Sequence, residues 1–140
     1  MKCKKFFKTL SLVLSLLMIF SLCACGNKEA EEFETSSSFE YHFFPEDYEE
    51  KYNEVTEAID IEGDKEYQIL LEATCTEGTM QIDVLKDGET DTTYSVDSNS
   101  PFTGSINVLP DSAAEVDIVI HIDAATNGSV MGEIKQKKNT

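Results

Sequence analysis

The feature that most constrains the fold is an alternation of apolar and polar residues that begins after Glu66. A period of two belongs to a β-strand with one buried face and one solvated face. The same period returns in the runs 80–84, 92–96, 102–108, 116–122 and 130–134. In the first run, only Leu70 interrupts the polar side. The apolar side of that run consists of Tyr67, Ile69, Leu71, Ala73 and Cys75.

Turn signals separate these runs, and together with them they predict an all-β domain. Asn127-Gly128 is of the type that predicts a β-hairpin. With a further strand expected at 54–61, about seven short strands follow one another without a long helix. This pattern indicates an antiparallel β-sandwich of jelly-roll or immunoglobulin-like type. The other turn signals are Glu77-Gly78, Asp87-Gly88, Asn99-Ser100-Pro101 and the loop 110–114.

The stretch from Pro45 to Ile59 fits two patterns. Tyr48, Tyr52 and Val55 follow the spacing of a helix, and Pro45 suits a first helical position. Val55 and Ile59 also share one face of a strand. We expect a short helical turn near 45–50 and a strand from about 54 to 61.

The N-terminus predicts export. Four lysines within residues 2–8 precede an apolar run at 9–22, which is too short to span a bilayer and typical of a signal peptide. The following Leu22-Cys23-Ala24-Cys25 resembles the lipobox of bacterial lipoproteins. That resemblance implies cleavage after Ala24 and acyl chains such as palmitate on Cys25, which would hold the protein on the extracytoplasmic face of the cell membrane. The alternative is an ordinary secretory signal that leaves Cys25 as a free thiol.

A second resemblance concerns the domain itself. The strand Glu77-Gly78-Thr79-Met80-Gln81-Ile82-Asp83-Val84, the turn Asp87-Gly88 and the late Asn127-Gly128-Ser129-Val130 are similar to small β-sandwich lipoproteins of low-GC Gram-positive bacteria. Members of that group are largely uncharacterised. The resemblance therefore implies a fold and a location but no substrate.

These assignments divide the chain into four parts. We expect a signal peptide at 1–24, the lipidated cysteine with a flexible acidic and serine-rich tether at 25–40, the sandwich at 41–136 and a tail at 137–140. The tether is expected because the stretch carries too little apolar surface to offset the entropy of ordering it.

Charge narrows the choice of partner. The chain has a formal net charge of −16, and removal of residues 1–24 leaves seven lysines against 27 acids, a net charge of −20. The sequence contains no arginine. Nucleic acid is therefore excluded as an expected partner, because phosphate binding needs clustered cations. The membrane is reached through the lipid on Cys25, and a further ligand is expected to be a protein or a carbohydrate.

An aromatic segment supplies the candidate binding surface. Exposed rings would form a stacking platform for sugar rings or a partner protein. The alternative is that the segment packs onto the domain, with Phe39, Tyr41 and Phe43 alternating toward the core. The absence of tryptophan weakens the carbohydrate interpretation. The candidate residues are Tyr41, Phe43, Phe44, Tyr48 and Tyr52.

Residues suited to catalysis are sparse. His42 and His121 have no cysteine or histidine at zinc-ligand spacing, and no Gly-x-Ser-x-Gly motif is present. Cys75 is expected to be a buried thiol, and His121 a solvated surface residue. We expect no enzyme, cofactor or bound metal, and favour a binding module over a structural or calcium-stabilised spacer. The calcium alternative depends on Glu62, Asp64, Asp87, Glu89, Asp91, Asp111, Asp117 and Asp123, which lie in or near turns.

Overall fold

The computed structural model of the protein describes residues 32–139. The signal peptide and Cys25 lie outside the described residues. No helix within 32–139 is long and apolar enough to cross a membrane. Two 3-10 turns occur at Pro45–Asp47 and Glu50–Tyr52. The strands are β1 (Phe33–Phe43), β2 (Glu54–Asp60), β3 (Tyr67–Glu77), β4 (Thr79–Lys86), β5 (Glu89–Asp97), β6 (Phe102–Val108), β7 (Glu115–Ile122) and β8 (Asn127–Lys137).

The strands form two four-stranded antiparallel sheets. Sheet A has the order β1-β8-β3-β6, and sheet B has the order β2-β7-β4-β5. Every connection except β4–β5 passes from one sheet to the other, and the first and last strands are neighbours. This is a jelly-roll order and differs from that of an immunoglobulin sandwich. The prediction of an all-β antiparallel sandwich is confirmed.

The core lies between the sheets and consists of the alternating apolar positions. Ile69 on β3, Ile82 on β4 and Ile118 on β7 are fully buried. The alternating apolar positions of β6 and β8 also face inward, with Val108 and Val130 fully buried, whereas Met131 on β8 faces outward. The period-two pattern therefore identified the buried face of each of these strands correctly.

The expected tether is wrong from residue 33 onward. β1 begins at Phe33, and ten of its residues pair with β8. Lys137, assigned to the tail, is the last residue of β8, and the Lys138 N–H donates to the Glu32 carbonyl at 2.8 Å. Low apolar content did not exclude a strand here because β1 is an edge strand held largely by backbone hydrogen bonds. β1 also raises the strand count from seven to eight.

The ambiguous stretch resolves as expected. Its beginning forms the two short 3-10 turns, and β2 covers Glu54–Asp60. Ile59 is buried and Val55 packs against the core, so the strand face containing both residues is the one that is used.

The turn signals gave one correct hairpin and one wrong one. Asp87 and Gly88 have φ values of 50° and 81°, as a two-residue hairpin turn of type I′ requires, and they join β4 to β5. Asn127 and Gly128 form no hairpin; they begin β8 and pair with β3. Glycine is needed at 128 because a Cβ there would overlap the Thr74 carbonyl oxygen.

Candidate binding surfaces

The topology gives the sandwich two structurally different ends. Phe33 lies opposite Lys137 at what we call the terminal end, where the described chain begins and finishes. Phe43 lies opposite Gly128 at the other end, the distal end. Ten residue steps of β1 separate the two ends, or roughly 33 Å. The distal end carries the segment 44–53, the turn at 78 and the loops 98–101 and 123–126.

The predicted aromatic surface is divided by the strand period. Phe43 is only 8% exposed and belongs to the core, and Phe39 and Tyr41 pack against that core. The Tyr41 hydroxyl donates to Glu57 Oε2 at 2.6 Å. The packing alternative therefore describes Phe39, Tyr41 and Phe43 correctly.

The remaining candidates lie beyond β1, at the distal end. Phe44 is 46% exposed and Tyr52 is 65% exposed, whereas Tyr48 is half-buried. The Phe44 ring is stacked on His42, with centroids 6.5 Å apart, and Lys51 Nζ lies 4.7 Å from the centroid of the Tyr52 ring. We call Phe44, Tyr48 and Tyr52 the aromatic tip.

Four acidic residues stand between the rings of the aromatic tip in the sequence. Glu46, Asp47, Glu49 and Glu50 lie in the same segment and are exposed. The one lysine of segment 44–53, Lys51, is paired with Glu49 at 3.3 Å. In a site of this composition, the rings would stack on a ligand and the carboxylates would accept hydrogen bonds from it.

The distal end is held in place by Asp123. Its carboxylate accepts hydrogen bonds from the Thr79 N–H at 3.0 Å and the Thr79 hydroxyl at 2.8 Å, and these bonds hold the pKa of Asp123 below its ordinary value. The buried Thr126 hydroxyl donates to the Thr79 carbonyl at 2.7 Å. The Ile122 N–H donates to the Asn53 carbonyl at 2.9 Å, so this network also positions the end of segment 44–53.

His121 lies on the polar side of its strand, as the alternation indicates, and two carboxylates hold its ring. It lies on the outer face of sheet B, where Nε2 is 2.9 Å from Asp83 Oδ2 and Nδ1 is 3.2 Å from Glu54 Oε2. Asp83 also accepts from Thr93 and Gln81. The Thr93 hydrogen bond is the main reason that the pKa of Asp83 is lowered. The cluster links all four strands of the sheet.

Four of the eight acids of the calcium alternative, Asp123 among them, form local hydrogen bonds or ion pairs. Asp87 Oδ1 accepts from the backbone N–H groups of residues 114 and 115 at 2.8 and 3.0 Å. Glu62 pairs with Lys65 at 2.6 Å, and Asp91 pairs with Lys86 at 3.3 Å. Within 32–139, no three acidic, histidine or cysteine side chains come together in a way that could hold a metal ion.

Cys75 is buried, as expected. Its thiol donates to the Glu77 carbonyl at 2.8 Å, and burial raises the pKa of the thiol. A raised pKa disfavours the thiolate, which is the nucleophilic form.

A groove on the outer face of sheet A was missed by the sequence reasoning. It has a volume of about 470 Å³ and lies over β3, β6 and β8. Leu70 and Met131 form its apolar part, and Met131 is 39% exposed. The sequence contained one indication of this groove: Leu70 and Met131 are apolar, although the alternation of their strands puts them on the polar side. The other side chains at the groove are Glu72, Glu133, Thr103 and Ser105.

Comparison with known proteins gives only distant similarities. No family model matches the chain, and no curated protein matches it. A solved CBM4 structure has 13% identity and a TM-score of 0.39, over 81% of this chain and 83% of that one. The carbohydrate-binding module CBM28, specific for non-crystalline cellulose, has 14% identity and a TM-score of 0.43, over 76% and 80%. A protein of Bacillus endospore appendages, which form disulfide-linked pili, has 10% identity and a TM-score of 0.49, over 83% and 96%. Since every TM-score is below 0.5, none of these similarities bears on the function of this chain.

Proposed function

We propose that the protein is a lipid-anchored, extracytoplasmic binding module that engages its ligand through the aromatic tip. The observation that carries this proposal is the placement of exposed Phe44 and Tyr52 at the opposite end of the sandwich from Phe33, where β1 begins. A module attached through its N-terminus would thus present its exposed rings away from the attachment.

The covalent geometry sets the reach of such a module. Eight residue steps separate Cys25 from Phe33, which allows at most about 28 Å when fully extended. β1 adds roughly 33 Å to the distal end. Two acyl chains on Cys25 would suffice for stable anchoring. The high negative charge would disfavour contact with anionic lipid within the screening length of about 8 Å.

The anchoring is tested by Cys25→Ser in the full chain, with Cys23→Ser as the matched control. We expect the wild type and Cys23→Ser to enter the detergent phase on phase separation and Cys25→Ser to stay in the aqueous phase. Mass spectrometry of the mature N-terminal peptide should show a diacylglyceryl group on Cys25. An unmodified Cys25 thiol would remove the anchoring part of the proposal and leave a secreted protein.

The binding surface is tested by photo-crosslinking in intact cells. A benzoylphenylalanine is placed at Tyr52 in one strain and at Leu109 in the other. Leu109 is the matched control because it is 58% exposed, close to the 65% of Tyr52, and lies at the terminal end. We expect a discrete adduct from position 52 that position 109 does not give. Equal adducts from both positions, or none from position 52, would contradict a binding role of the tip.

A carbohydrate is the second candidate ligand, favoured by the exposure of the Tyr52 ring and by the exposed carboxylates of Glu49 and Glu50 in the same segment. Aromatic rings stack on the apolar faces of sugars, and carboxylates accept hydrogen bonds from sugar hydroxyls. Native gel electrophoresis through soluble hydroxyethyl cellulose should retard the wild type more than Tyr52→Ala. Equal mobility of the two proteins would argue against this polysaccharide as ligand.

A further inference from the structure

The outer face of sheet A alternates apolar and acidic side chains at its centre. In the register of β3 and β8, Leu70 lies opposite Glu133 and Glu72 lies opposite Met131. The apolar pair and the acidic pair therefore occupy the two diagonals of one square. Diagonal neighbours on a sheet face are about 7–8 Å apart at Cα. Glu40 on β1 lies beyond Met131 in the same row, and its carboxylate is paired with His42 at 2.8 Å.

The acidic side chains of this square have little compensation. Glu72 is exposed and has no hydrogen bond or ion pair to any side chain within the described residues 32–139. Glu133 accepts from the Thr35 hydroxyl and is 3.8 Å from Lys135 Nζ. Two carboxylates on one diagonal give this face a local negative charge, and a bound cation would complement that charge.

The backbone beneath the groove is fixed from the core side. Leu71 lies between Gly132 on β8 and Gly104 on β6. The rings of Phe39 and Phe102 fill the space that side chains at these two glycines would occupy. The backbone beneath the groove is therefore already ordered, and binding a ligand need not order it.

We infer that the groove binds a linear aliphatic polyamine. The methylene chain would lie on Leu70 and Met131, and ammonium groups would reach Glu72 and Glu133. An ammonium–carboxylate hydrogen bond is short and stronger than a neutral one, and burial of each methylene adds to the binding free energy. The groove volume of about 470 Å³ falls in the range of small-molecule sites. This site is separate from the aromatic tip and does not depend on the proposed function.

The test is isothermal titration calorimetry of spermidine into the full-length protein in detergent at low ionic strength. We expect saturable binding at one site. The double variant Glu72→Gln/Glu133→Gln should weaken binding at least tenfold. The control Glu89→Gln/Glu115→Gln removes the same charge from exposed positions on sheet B and should leave the affinity within twofold. Met131→Ala, which changes no charge, should weaken spermidine binding several-fold.

Four results would overturn the inference. The first is the absence of saturable heat at millimolar spermidine. The second is an equal loss of spermidine affinity in the two double variants, which would mean that spermidine only screens the net charge of the protein. The third is displacement of spermidine by Mg²⁺ at the same total cationic charge, which would indicate that spermidine acts only as a diffuse counterion. The fourth is groove-dependent binding of pentalysine without binding of spermidine, which would assign the groove to a basic peptide. Thermal melts of each variant check that the fold is retained.

Discussion

The Tyr41 hydroxyl donates a 2.6 Å hydrogen bond to Glu57 Oε2, and this bond joins β1, an edge of sheet A, to β2, an edge of sheet B. At the opposite side of the sandwich, Tyr94 on β5 and Phe102 on β6 are stacked with ring centroids 4.0 Å apart. A tyrosine therefore connects the two sheets along each open side of the sandwich. Tyr41 does so through its hydroxyl and Tyr94 through its ring.

Tyr41→Phe should lower the free energy of unfolding by about 1.5 kcal/mol, because the charged acceptor on Glu57 loses its donor in a partly buried site. The same hydrogen bond raises the pKa of Tyr41 above its ordinary value of 10.0. Its contribution is thus fully present below pH 10.0 and is lost as the pH rises through the folded pKa. Urea unfolding at pH 7 and at alkaline pH measures both effects, and the difference between wild type and Tyr41→Phe should shrink at the higher pH.

Tyr94→Phe is the control for Tyr41→Phe. It keeps the stacked ring and removes a hydroxyl that has no side-chain hydrogen bond within residues 32–139. We expect a change below about 0.5 kcal/mol. Equal losses in the two variants would show that the Glu57 contact contributes nothing specific.

Phe43 and Phe44 are neighbours in the chain and should behave in opposite ways. Phe43→Ala creates a cavity in the core and should cost about 3 kcal/mol of stability. Phe44→Ala removes an exposed ring and should change stability by less than about 0.5 kcal/mol. Thermal unfolding compares the two variants directly. A large loss of stability in Phe44→Ala would mean that this ring packs on the domain and is not free for a ligand.

Gly128→Ala and Gly88→Ala test two different requirements for glycine. At Gly128 the added Cβ would overlap the backbone oxygen of Thr74, and we expect a loss of about 3 kcal/mol. At Gly88 nothing lies within 4 Å of the added Cβ, but φ is +81°, so the cost should be near 1 kcal/mol. Chemical denaturation gives both values. The reverse order would mean that backbone conformation matters more than the close approach of β3 and β8.

Thr93→Val should raise the pKa of Asp83 toward its ordinary value of 3.8, because the Thr93 hydroxyl is the main group that lowers this pKa. A carboxyl whose pKa is depressed by folding contributes stability above pH 3.8, and this contribution is lost as the pH falls through the folded pKa. Thr93→Val should therefore lose less stability on acidification than the wild type. NMR titration of the Asp83 carboxyl carbon measures the shift.

Thr92→Val is the control for Thr93→Val, since the Thr92 hydroxyl contacts Asp91 and not Asp83. It should leave the titration of Asp83 unchanged. A pKa of Asp83 that moves equally in both variants would indicate a general effect of valine on β5.

The strands that could be predicted from the sequence are those with one apolar face. The alternation from Tyr67 to Cys75 corresponds directly to the burial of β3. Only the second half of β1 shows this pattern, with Phe39, Tyr41 and Phe43 on the inner side. Residues 34–38 could not be predicted in this way because they are polar and exposed on both sides and their pairing depends on backbone groups. The hairpin predicted from Asn127-Gly128 was wrong for a related reason. A turn signal reports local conformational preference, whereas Gly128 is required by the close approach of a distant strand.

The candidate site was predicted only in part. The sequence located the aromatic segment, but the choice between Phe43 and Phe44 depends on where β1 ends and which face of it meets the core. The groove of sheet A depends on the register of β3 against β8, which no local pattern contains. Leu70 and Met131 lie on strands that are far apart in the sequence, and only the register places them on one diagonal.

The direct path from Glu32 to the segment 44–53 has a mechanical consequence. If the chain is held at its N-terminus and a ligand pulls on the aromatic tip, the tension runs along the covalent backbone of β1. β1 then carries the tension by itself, and the force does not pass through the other seven strands of the sandwich. Ten residues of β1 pair with β8, and these pairs would act at the same time against a movement of β1 along β8. Such a module could hold a ligand under pull without unfolding its core.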